Sequence, residues 1–100
     1  MSNGSTRDIY SKTPTVTSVP SATESTFLLA ENVYRKQAMF YNDSTQALYL
    51  KCGIDATSAS FSVKIASYGY YELPPDVYTG DVYGAWAAAN GSVKVTEVSG

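Results

Sequence analysis

Histidine is absent from this 100-residue chain, and cysteine occurs once, as Cys52. The first absence removes the commonest general base and the commonest zinc ligand. Together the two exclude Ser–His–Asp and Cys–His catalytic arrangements, and a lone cysteine excludes a disulfide framework within the chain. Basic charge is also sparse. Seven Lys and Arg stand against nine Asp and Glu, for a net charge of −2, and the longest basic run is Arg35-Lys36. Nucleic-acid binders usually carry a basic patch or stripe, so no nucleic-acid partner is expected. No apolar run approaches the roughly 20 residues of a membrane helix, and the polar beginning lacks the charged-then-apolar pattern of a secretory signal. No membrane partner, metal or cofactor is expected. A carboxylate pair would be the remaining route to acid–base chemistry. The nearest acids, Glu72, Asp76 and Asp81, flank a turn, where acids serve solubility and turn geometry. No catalytic residue is assigned, and the chain reads as non-enzymatic.

What the chain does have is aromatic surface. Apolar residues make up 44% of it, and nine tyrosines accompany one tryptophan. Five of those tyrosines and Trp86 lie between residues 68 and 97, beside Pro74-Pro75. Residues 1–25 differ. About half are Ser, Thr or Pro, and such a segment buries too little apolar surface to offset its ordering entropy. It reads as an extended N-terminal arm needing a surface to lie on. Ile9, Tyr10, Val16 and Val19 are spaced to anchor it, and its Thr15–Val19 piece has the β-branched residues to join a neighbour's sheet edge.

Residues 26–100 read as one all-β domain, a small antiparallel sandwich or barrel of about seven strands. Thr26–Ala30 and Gln37–Tyr41 are short apolar runs, the second ending at the turn signal Asn42-Asp43-Ser44. Val33–Met39 alone allows a short helical turn. In Ala47–Cys52, Leu48, Leu50 and Cys52 share a face. In Ser60–Ile65, Phe61, Val63 and Ile65 point inward. Tyr68–Leu73 ends at Pro74, which cannot donate to a ladder. Asp81–Ala89 turns Val82, Gly84, Trp86 and Ala88 to one face. Asn90-Gly91 then predicts a type I′ hairpin into Ser92–Val98, with Val93 and Val95 inward. Cys52 reads as a small core residue.

Tyr and Trp bring large contact area at low entropic cost. Tyr68, Tyr70, Tyr71, Tyr78, Tyr83 and Trp86 are therefore the candidate interface of the domain. Tyr70 and Tyr71, adjacent in a strand, must point to opposite faces, and some of the tyrosines serve the core instead. Aromatic rows also stack on sugars, and Glu72, Asp76 and Asp81 would supply polar neighbours, so a carbohydrate-binding module is a second reading, resting chiefly on Tyr71 and Trp86.

Several segments resemble, in order, a pattern of small virion proteins of tailed bacteriophages. They are Phe40-Tyr41-Asn42-Asp43-Ser44-Thr45 with Ala47-Leu48-Tyr49-Leu50-Lys51-Cys52-Gly53, then Tyr70-Tyr71-Glu72-Leu73-Pro74, Tyr78-Thr79-Gly80, and the run from Gly84 to Glu97. The likeness covers about residues 38–97 and not the arm. It implies a non-enzymatic β-domain made in the bacterial cytoplasm and built into the virion. The leading expectation is a capsid cement or decoration protein. Its partners would be the major capsid protein or other virion proteins and further copies of itself, with a trimer favoured. A neck, tail or fibre-base component is the alternative within the same class.

Overall fold

In the computed structural model, which describes residues 13–100, eight strands form, and no helix occurs among the described residues. They are β1 (Thr13–Pro20), β2 (Thr26–Leu29), β3 (Arg35–Asp43), β4 (Leu48–Cys52), β5 (Val63–Ile65), β6 (Tyr70–Glu72), β7 (Val82–Trp86) and β8 (Ser92–Ser99). Four make a first sheet in the order β1-β8-β3-β6, and four make a second in the order β2-β7-β4-β5. Every neighbouring pair is antiparallel. The order has a simple generator. First pairs with last (β1–β8), then β2 with β7, β3 with β6, and β4 with β5. A ribbon folded at the β4–β5 connection and rolled up, with β8 also against β3 and β7 against β4, gives the winding of an eight-stranded jelly roll.

Alternation along each strand decides what the two sheets bury between them. Ala38 and Phe40 from β3 and Val93 and Val95 from β8 meet Leu28, Leu48, Leu50, Ile65, Val82 and Trp86 of the second sheet in one cluster. Leu73, just past β6, closes it. Each large apolar side chain so buried stabilises the fold by about 1.5–3 kcal/mol. Gly84 sits where a side chain has no room, because Leu28 Cδ1 and Leu48 Cδ1 both lie 2.8 Å from the place its Cβ would occupy.

Several expectations change. An eighth strand, β1, lies inside the segment read as an arm, and it pairs with β8 of its own chain from Thr13↔Ser99 to Pro20↔Ser92. The stretch 33–39 holds a turn and the start of β3 rather than a helical turn, since Ala38 and Phe40 must alternate inward. Phe61 does not face in. It stands outside β5, 40% exposed, against Tyr49 on the outer surface. Ala88 lies beyond β7 and is exposed.

Asn90-Gly91 makes no hairpin, because β7 and β8 belong to different sheets. Gly91 has φ 73°, but Asn90 is not in the positive-φ region, so the two residues do not meet the type I′ requirement. They form a corner between sheets. There Asn90 Oδ1 accepts the Thr45 N–H at 3.0 Å, and a side chain at 91 would strike the Asp43 carbonyl.

Candidate interaction surfaces

Two buried polar residues hold the framework that displays the surface. Asn42 is fully buried in β3. Its Nδ2 lies 2.7, 3.1 and 3.0 Å from the carbonyls of Gln46, Ile65 and Ala66. Its Oδ1 accepts from Ser44 Oγ at 2.8 Å and from Trp86 Nε1 at 3.1 Å. The indole N–H only donates, so the amide orientation is fixed by its partners. Asn42, expected as a turn residue, is an inter-sheet staple at one end of the fold. Arg35 does the same work at the other. Its side chain is fully buried, with Nε 2.8 Å from Glu97 Oε2. Nη1 donates to the carbonyls of Tyr78 (2.7 Å) and Gly80 (3.1 Å), and Nη2 to Ala30 (2.6 Å).

On this framework the outer face of the first sheet is uncovered among the described residues. Register lays it out in rows. Val16 lies beside Thr96, then Met39, then Glu72. Ser18 lies beside Lys94, then Tyr41, then Tyr70. Val16, Tyr41 and Tyr70 are 65%, 39% and 59% exposed. Lys94 Nζ donates to Ser18 Oγ at 3.0 Å and lies 4.0 Å from Asp43. The Tyr70 hydroxyl donates to Glu72 Oε1 at 3.1 Å, and Gln37 Nε2 donates to the same carboxylate. Partial desolvation, that hydrogen bond and the Glu72 charge hold the Tyr70 phenol above its ordinary value. It therefore stays a neutral donor. The face combines apolar area and two tyrosines with one cation and two carboxylates, Asp43 and Glu72, which suits a protein surface.

The outer face of the second sheet carries a different aromatic set. Phe27 and Tyr83 meet edge-on at 5.5 Å, Tyr49 and Phe61 lie 5.1 Å apart, and Lys64 Nζ sits 5.7 Å from the Tyr49 ring centre. Beside them opens a groove of about 780 Å³. Tyr49, Ala85 and Trp86 belong to its strand-built side. Thr23, Glu24 and Ser25 line it from the β1–β2 connection, and Asp55, Thr57 and Ser58 from the β4–β5 connection. Asp55 holds φ 63° there, a left-handed conformation that Asp tolerates better than most residues.

The predicted domain interface is thus dispersed. Tyr70 reaches the outer face of the first sheet, and Tyr83 that of the second. Tyr71 points inward and packs against the core. Trp86 is 2% exposed and cannot serve as a contact surface. Tyr68, 56% exposed with φ 58°, stands in the tight turn closed by Gly69 N–H to Ala66 C=O at 2.7 Å. Tyr78 is 37% exposed beside the Arg35 node. Of the arm residues, Val16 is exposed, Val19 packs on the core, and Ile9 and Tyr10 lie outside the described residues. Tyr41, Tyr49, Phe27 and Phe61 were missed. Tyr41 was readable, because its neighbour Phe40 had to be core and adjacent strand residues face opposite ways. Glu72 and Asp81 bond separately, Asp81 Oδ1 accepting Glu31 N–H at 2.7 Å, so the sugar site expected around Tyr71 and Trp86 does not assemble. No three Asp, Glu or Cys side chains converge among the described residues. No family model, curated protein or solved structure matches this chain.

Proposed function

We propose that this chain is a non-enzymatic structural protein of a tailed-phage virion, a cement or decoration protein that docks on the capsid as a homo-oligomer. The observation that carries the reading is the outer face of the first sheet, uncovered among the described residues, where Val16 and Met39 lie in one row across the strands and Tyr41 and Tyr70 in the next. A 100-residue chain that leaves such a face open gains stability by covering it. Jelly rolls serve viral shells among other roles, which is compatible with the sequence resemblance but does not by itself assign function. The mechanism is contact area multiplied by linkage. Once one domain docks, each further contact is effectively intramolecular, including any made by the segment before β1.

The test is to add the purified protein to capsids lacking it and image them by cryo-electron microscopy. Density at regular lattice positions, with Tyr41 and Tyr70 toward the shell, is the expected result. Density confined to the portal vertex or tail would move the protein to a neck, tail or fibre-base role. A second reading, a carbohydrate-binding module, is favoured by the groove beside Tyr49, whose volume and mixed lining suit a small polar ligand. A glycan screen with a Tyr49→Ala control separates it from the first.

A further inference from the structure

The outer edge of β1 carries a distinct pattern of backbone donors. In the β1–β8 ladder Ser21 N–H donates to Gly91 C=O at 3.0 Å, which continues the register of Thr15↔Glu97, Thr17↔Val95 and Val19↔Val93. Hydrogen-bonding direction alternates along a strand. The odd residues therefore spend their backbone groups on β8, and Pro14, Val16, Ser18 and Pro20 direct theirs outward. Two of the four prolines in the chain occupy outward positions, where the missing N–H costs the fold nothing. Between them stand two donors that no described residue uses, Val16 and Ser18. The bracket reads Pro14-Thr15-Val16-Thr17-Ser18-Val19-Pro20, without a charge and with only its two prolines mirrored about Thr17. Seven of the eight residues of β1 are exposed, and among the described residues no strand covers its outer edge.

We propose that two chains join β1 to β1 antiparallel about a two-fold axis at Thr17. Val16 of one chain would exchange both backbone bonds with Ser18 of the other, and the reverse, using both of those donors. Pro14 of one chain would then face Pro20 of the other, where neither can donate and the rings oppose further pairing, so the ladder would be limited to its two central pairs. The two first sheets would become one eight-stranded sheet, and their outer faces one continuous surface. This rests on the assembly reading above and replaces the favoured trimer with a two-fold unit. The contact is narrow, so it is weak alone and is strengthened by a lattice that holds both chains.

Cysteine scanning tests it on the full chain in a Cys52→Ala background. Residues paired across an antiparallel ladder without hydrogen bonds stand about 4.5 Å apart at Cα, within disulfide reach. Mild oxidation should link Thr17→Cys to itself faster than Val16→Cys, Ser18→Cys or an exposed Thr57→Cys control. Adding Val16→Pro, at a position whose N–H the fold does not use, should lower the Thr17 link about tenfold or more without changing the thermal melt. Equal linking at all four positions, preferential self-linking at 16 or 18, or no effect of Val16→Pro would overturn the proposal. A Thr17 link in a protein that binds no capsid would keep the dimer and sink the virion reading.

Discussion

Trp86 Nε1 donates to Asn42 Oδ1 at 3.1 Å, and that bond ties the second sheet to the first. The only tryptophan in the chain is thus spent on holding the two layers in register rather than on recognition. Because the same amide also serves three carbonyls, one side chain satisfies the corner where β3, β5 and β7 come together. Buried polar groups without partners are costly, so this staple constrains how the exposed faces sit relative to each other.

Asn42→Ala should be among the most destabilising single changes. It removes the acceptor of the Trp86 indole and the donor to three carbonyls. Each buried group left unsatisfied costs about 1–3 kcal/mol, so a loss of roughly 3 kcal/mol or more is expected. Trp86→Phe keeps most of the packing and loses one bond, for about 1–2 kcal/mol. Urea unfolding followed by circular dichroism reads both. In a double-mutant cycle the two should couple, because they share the bond. Additive effects would mean that the bond contributes nothing of its own.

Arg35 is the matching node at the opposite end. Removing one partner of a buried ion pair typically costs about 3–5 kcal/mol, and Arg35→Met also strips the donors from Tyr78, Gly80 and Ala30. Glu97→Gln keeps an acceptor for Nε and should cost less. The expected order in chemical denaturation is wild type, then Glu97→Gln, then Arg35→Met least stable. If the two variants were equally destabilised, the carbonyl contacts would carry no weight and the charge pair all of it.

The pattern of the sequence carried the strands better than their connections. The faces of Leu48, Leu50, Val82, Trp86, Val93 and Val95 follow from period-two alternation, and all six are buried. The corner at Asn90-Gly91 was misread because a turn dipeptide reports local backbone needs. Whether the next strand returns beside its predecessor or crosses to the other sheet is decided by pairings as distant as β1 with β8. The partner of β1 was hidden for a related reason. The β-branched residues of Thr15–Val19 mark a strand, but one with almost nothing buried has no apolar face to match, so that it joins β8 of its own chain rather than a neighbour's edge is seen only in the register. Ser44 and Gln46 are near neighbours of Asn42, but the partners that make it an inter-sheet staple, Ile65, Ala66 and Trp86, lie 23 to 44 positions away and left no local signal.

Cys52 should react slowly with thiol reagents. Burial pushes its pKa above the ordinary thiol value, against weaker opposing effects from its hydrogen bond with Ser62 and the Arg35 charge. Only the thiolate attacks, so alkylation of the folded protein should lag behind that of the urea-unfolded chain at the same pH. The rate profile should be displaced to higher pH. The linkage runs the same way. The folded state favours the neutral thiol, so the contribution to stability is full below the unfolded thiol pKa and is lost as pH rises through the folded one. Cys52→Ala should flatten that alkaline decline. Equal alkylation rates for folded and unfolded chains would show an open, unshifted thiol.

Tyr41 and Tyr70 face each other across β3 and β6 on the outer surface, and they separate folding from docking. A cross-strand pair of this kind contributes about 0.2–1 kcal/mol to stability, so Tyr41→Ala and Tyr70→Ala should each leave the melt nearly unchanged. An aromatic anchor at the centre of an interface contributes about 2 kcal/mol or more to binding, so on the proposed capsid-docking role either change should weaken capsid association about thirtyfold or more. Tyr83→Ala, on the opposite sheet, is the control and should leave association intact. Sedimentation of each variant with decorated and undecorated capsids reads all three. If Tyr83→Ala abolished binding while Tyr41→Ala and Tyr70→Ala did not, the aromatic face of the second sheet, with Phe27 and Tyr49, would be the docking surface instead.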